Sequence, residues 1–120
     1  MSTSDMDEVT SLALIISNTK GTKKKKVDLL TLAQHFDYLR NLYGSTEKVA
    51  EKTSLSREMV RELLLPLKFP EEIQKMISER RIDRIGLVKE LAALKDPITQ
   101  ISAAKVLIEH SSEDVRDVAH

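Results

Sequence analysis

The chain has 120 residues, with 19 Lys+Arg balancing 19 Asp+Glu, and no cysteine. That length admits one compact domain, and the missing cysteines exclude disulfide frameworks, Cys-ligated zinc or iron–sulfur sites and thiol nucleophiles. Its 41% apolar, 32% charged and 3% aromatic residues suit a helical domain with a Leu/Ile/Val/Met/Ala core better than a β-sandwich or a disordered chain.

In chain order, Ser4 and Asp7 have the spacing of a weak capping box. Behind them Met6, Val9, Leu12, Ala13 and Ile16 recur at helical spacing. The acidic start (Asp5, Asp7, Glu8) replaces the positive region of a signal peptide, so no leader is expected. The longest apolar run, Leu12–Ile16, is five residues, far short of a membrane span. Asn18–Thr22, with Gly21, breaks the helix and leads into a basic loop of Lys20 and Lys23, Lys24, Lys25, Lys26.

A second stripe, Leu29, Leu32, Ala33, Phe36, Leu39 and Tyr43, predicts a helix that Gly44 closes. Two short helices follow, Thr46–Lys52 and Ser56–Leu65, around Thr53-Ser54-Leu55. Pro70 with Glu71 and Glu72 opens a helix that buries Ile73, Met76 and Ile77. Another carries Ile85, Val88, Leu91, Ala92 and Leu94. Asp96-Pro97 caps the next, with Ile98, Ile101, Ala104 and Ile108 inward, and Ser111 with Asp114 opens a last short turn. The expectation is an all-α, multi-helix domain of seven or eight helices.

The segment Thr46–Leu63 has the pattern of a helix-turn-helix, in which two short helices cross steeply around a tight turn. Ala50 is small enough for the close approach, and Val49 packs beside it. Leu55 plugs the turn, while Val60 and Leu63 bury the inner face of the second helix. Ser56 caps that helix, leaving Arg57, Glu58, Arg61 and Glu62 on its outer face. The turn has Ser54 where glycine is common, and a left-handed serine costs about 1 kcal/mol. The same Ala and Leu positions would serve an ordinary helical hairpin.

From Ser56 to Ile73 the run Ser-Arg-Glu-Met-Val-Arg-Glu-Leu-Leu-Leu-Pro-Leu-Lys-Phe-Pro-Glu-Glu-Ile closely resembles the central DNA-binding region of ParB/KorB-type partition proteins. In that family a Ser-Arg-x-x-Val recognition helix leads through a Leu-rich turn to Leu-Pro-Glu-Glu-Val/Ile. The resemblance covers roughly Val27 to Ile108. It departs at Gly86-Leu87-Val88, which lacks the family's histidine. Nothing resembles the family's arginine-rich nucleotide-binding box, so CTP binding and clamp behaviour are not expected. The resemblance implies a stand-alone central domain, with residues 1–26 forming an N-terminal helix and lysine-rich loop and residues 27–120 the helix-turn-helix domain.

The implied function is duplex DNA binding through the major groove, in regulation or partition, by a cytoplasmic or nucleoid-associated protein with no membrane partner. Arg57 and Arg61, four apart on one side of the helix, could grip guanine bidentately or hold phosphates; as surface residues they would instead form a charge ladder with Glu58 and Glu62. Glu58 repels phosphate unless it accepts from cytosine N4. Thr46 and Ser56 start the two helices, whose free N–H groups suit phosphate. Lys23–Lys26 would follow a DNA backbone, or simply remain a solvated loop. Arg80, Arg81 and Arg84 offer a further basic cluster. A homodimer is expected from the way such modules read palindromes, with the Met6–Ile16 stripe and the acidic C-terminal helices as candidate contacts. Neutral charge and acids on the outer face favour the alternative, a protein–protein interaction module on the same scaffold.

His35, His110 and His120 are too scattered to ligate a metal, and His35 is expected at the surface or half-buried. Gly21, Gly44 and Gly86 build no phosphate loop. No catalytic residue, cofactor or metal is expected.

Overall fold

The computed structural model describes residues 6–20 and 26–119, with residues 111–119 as helical backbone alone. The described residues form seven α-helices: α1 (Glu8–Thr19), α2 (Leu29–Tyr43), α3 (Thr46–Thr53), α4 (Arg57–Leu64), α5 (Glu71–Ser78), α6 (Ile85–Ala92) and α7 (Pro97–Ala119). A 3-10 turn, Leu65–Lys68, continues α4. Among the described residues there is no strand, as the all-α reading expects. None of the described helices is long and apolar enough to cross a membrane.

The helix starts follow side-chain capping. Asp7 accepts from the Thr10 amide at 2.7 Å, so Asp7 itself is the cap of α1; its expected partner Ser4 lies outside the described residues. Asp28 accepts from the amides of Leu30 and Thr31 at 3.1 and 3.0 Å. Asp96 accepts from the Thr99 amide at 2.9 Å and opens α7 at Pro97. Each cap satisfies a donor that the first helical turn leaves unpaired. Pro70 sits one place before α5, at its cap, rather than inside the first turn. Gly44 closes α2 with φ 92°, a left-handed residue as expected of glycine there.

Two apolar clusters meet along the chain. In the first, Ile15, Leu32, Phe36, Leu39, Val49, Ala50, Val60 and Leu63 draw α1 to α4 together. In the second, Phe69, Ile73, Ile77, Ile82, Val88, Leu91 and Ala104 join α5, α6 and α7. Leu29 and Ile85 pack against both. Phe36 is fully buried, and its ring anchors the first cluster.

Four details correct the expectations. On α1 the buried residues are Ser11 and Ile15, whereas Val9 is 77% exposed and Ile16 is exposed too. The helix is rotated because the run Leu12–Ile16 supports more than one apolar stripe, and docking on α2 selects the face that carries Ser11. His35 is buried, at 8% exposure, and its Nδ1 lies 2.8 Å from the Ser11 hydroxyl. Burial holds the imidazole below the usual histidine range. On α7, Ile98 is 74% exposed; it sits in the first turn, while Ile101, Ala104 and Ile108 belong to the second cluster. Finally, α7 runs unbroken through Ser111 and Asp114, so no separate last turn forms there.

Candidate nucleic-acid interface

Helices α3 and α4 form the helix-turn-helix, and short-range chemistry sets its turn. Ser54 is left-handed, with φ 60° and ψ 33°. Its amide donates to Glu51 O at 3.3 Å, and the Leu55 amide donates to Ala50 O at 3.1 Å. These bonds close the end of α3 by the left-handed route that glycine usually takes. The buried Thr53 hydroxyl donates to Val49 O at 2.7 Å. The Lys20 ammonium, from the end of α1, donates to Thr53 O at 2.9 Å. A cation thus meets the negative end of α3.

Ser56 caps α4 by accepting from the Met59 amide at 3.0 Å. The cap of α3 is Ser45, which accepts from the Lys48 amide at 3.2 Å. Thr46 is the first residue of α3, where the helix was expected to start, and its cap is the residue before it. Val49, Ala50, Val60 and Leu63 are all buried, and Leu55 packs against them. The close crossing predicted from Ala50 is present.

Arg57, Glu58 and Arg61 stand exposed on α4, and Glu62 is half-buried. They divide by direction. Arg57 reaches back to α3, where its Nη1 lies 2.8 Å from Glu47 Oε2. Arg61 shares a cleft with Thr46. Glu62 turns the other way and pairs with Lys89 of α6 at 3.2 Å. Glu58 makes no ion pair among the described residues. In place of a charge ladder within α4, Arg57 and Glu62 are tied to neighbouring helices.

Lys23, Lys24 and Lys25 lie outside the described residues. Lys26 is exposed, and its carbonyl accepts from Arg80 Nη2 at 2.6 Å. Arg80 itself is left-handed, at φ 66°, and Arg81 pairs with Glu79 at 3.7 Å. Arg80 therefore holds main chain, one role the sequence reading had not given it. Tyr43 at the end of α2 donates to Glu8 Oε2 at 2.5 Å. Burial and the adjacent Glu8 carboxylate push its phenol up to about 12, and Lys52 of α3 sits 5.7 Å from the ring centroid.

The sequence reading missed Glu47, Arg40 and Lys68. Arg40 and Lys68 line the cleft that holds Thr46 and Arg61, a space of about 390 Å³. They stand far apart in the chain, so no spacing rule links them. Among the described residues no group of His, Asp or Glu side chains is placed to hold a metal ion.

Comparison with known proteins agrees with this architecture. The family model described as the ParB HTH domain matches residues 25–119. No curated protein matches the sequence. Among solved structures, the chain is similar to the DNA-binding domain of the chromosome-partitioning protein ParB complexed to the centromeric parS site. The TM-score is 0.63 at 22% identity, covering 88% of this chain and 82% of that chain. At that identity the likeness is one of fold.

Proposed function

The chain belongs to the ParB HTH domain family, and from that premise we propose that it binds duplex DNA, with α4 entering the major groove. The observation that carries the reading is the α3–α4 unit itself. A left-handed turn at Ser54 and a serine cap at Ser56 leave Arg57, Glu58 and Arg61 on the free face of a buried-backed helix. Such a helix presents its N-terminal residues to base edges. The solved relative, the ParB domain complexed to parS, supports the same use of the fold.

In this reading Arg57 and Arg61 contact guanine edges or phosphates, and Glu58 accepts from a cytosine amino group. Thr46 and Ser56, at the two helix starts, face phosphates. The lysines Lys23–Lys26 add sequence-independent attraction. The role is regulatory or partition-associated, the site of action is the nucleoid, and the assembly is a homodimer on paired half-sites. The apolar Val9 and Ile16, exposed on α1, support self-association.

Titration of random-sequence duplex at several salt concentrations tests the reading. Log affinity should fall with log salt at a slope of about −0.9 per phosphate contacted. Absence of binding at the lowest salt would overturn it and leave a protein-binding module on the same scaffold. Selection of bound duplexes from a random pool then reads out the half-site spacing and the symmetry.

A further inference from the structure

Four elements converge on the cleft beside the start of α3. Arg40 comes from the last turn of α2, Thr46 from the first turn of α3, Arg61 from α4 and Lys68 from the 3-10 turn. Asp37 is the one carboxylate of the lining, and it is engaged by Arg40. Among the described residues, Arg61 and Lys68 make no ion pair. Three cations against one carboxylate, beside a threonine hydroxyl, leave a concave positive space with donors from separate directions. Like charges that line one cleft repel one another, and a bound anion relieves that repulsion.

We propose that this cleft seats one phosphate group, held by Arg61, Lys68 and Arg40, and that the phosphate is a phosphodiester of the bound duplex. The proposal deepens the DNA-binding reading and rests on it. It assigns different tasks to the two arginines of α4. Arg61 belongs to the seat and grips the backbone, so it positions the protein without reading sequence. Arg57 and Glu58, outside the cleft, remain for the base edges. The chemistry sought is an oxyanion with several accepting oxygens, which guanidinium donors meet in pairs and lysine meets as a point charge. Asp37 sharpens the site by orienting Arg40.

The test compares wild type with Arg40→Gln, Lys68→Gln and the double variant. All the changed side chains are at least partly exposed, and unchanged urea midpoints would verify intact folding. On duplexes of differing sequence, the double variant should lose roughly tenfold in affinity, equally for every sequence. Its salt slope should become shallower by about one. Arg61→Lys should keep base preference, whereas a base-reading Arg61 would lose it. An unchanged slope in the double variant, with wild type binding duplex, overturns the seat. So does a loss confined to one base position.

Inorganic phosphate alone supplies the second arm, followed by the amide resonances of Ser45–Lys48. Saturable shifts in wild type that vanish in the double variant support the seat. Such shifts without duplex binding would keep the oxyanion seat, assign it to free phosphate, and overturn the DNA reading. Absence of shifts together with an unaltered duplex slope overturns the seat alone.

Discussion

The Ser11 hydroxyl and the His35 Nδ1 meet 2.8 Å apart in the buried seam between α1 and α2. Burial keeps the His35 imidazole neutral to lower pH than in the unfolded chain, whose histidine titrates at about 6.5. Between the two values the unfolded chain binds the extra proton. The contribution is therefore complete above the unfolded value and is lost as pH falls through the folded one. Urea midpoints should drop as pH is lowered from neutral, and the drop should be smaller in His35→Gln. Ser11→Ala should cost about 1–3 kcal/mol at neutral pH, because a buried nitrogen loses its partner. Equal pH profiles for wild type and His35→Gln would refute the assignment.

Ser54→Gly should stabilise the domain by up to about 1 kcal/mol, since glycine adopts the left-handed turn without a Cβ penalty. Gly44→Ala, at φ 92°, should cost about the same. Beyond the adjacent residues no atom lies within 4 Å of a Cβ at that position, so the penalty comes from the local left-handed backbone rather than from packing. Thermal melts of the two variants should move in opposite directions.

Arg57 is shared between Glu47 and the surface it would present to DNA. The pair is exposed on both sides, so Glu47→Gln should change stability by less than about 1 kcal/mol. It should raise duplex affinity severalfold by releasing Arg57. Arg57→Ala should weaken binding by about 1–3 kcal/mol and relax preference at one base pair. A uniform loss across all sequences would make Arg57 a backbone contact instead.

The two glutamates of α4 should separate. Glu62 is engaged by Lys89, so Glu62→Gln should act mainly through loss of the α4–α6 tie, by about 1 kcal/mol or less. Glu58→Gln removes a carboxylate from the free face and should strengthen non-specific binding while loosening base preference. Competition binding with random duplex distinguishes the two effects. Comparable changes in DNA affinity from both variants would contradict the division.

Local rules made much of this fold legible. The end of α2 at Gly44, the serine cap of α4, the left-handed Ser54 and the buried quartet Val49, Ala50, Val60 and Leu63 depend on residues within a few positions of one another. The face of α1 was harder, because Leu12-Ala13-Leu14-Ile15-Ile16 offers apolar residues all round and a serine is the group that docks. His35 has the composition of a surface position, and its burial depends on a hydroxyl 24 residues away. Glu47, Lys89, Arg40 and Lys68 acquire meaning through the helices they face, which spacing does not encode.

The contact from Lys20 to Thr53 O has a bearing on how the protein came to be assembled. The family match begins at residue 25, yet the helix ahead of it supplies the cation that finishes α3 and the fully buried Ile15. The inherited motif and the folding unit therefore have different borders. A chain trimmed to the shared segment would open the Phe36 side of its core to water and bare a carbonyl at the α3–α4 turn. What lies upstream of the motif is here part of its foundation, and changes in α1 can be felt at the helix-turn-helix from outside it.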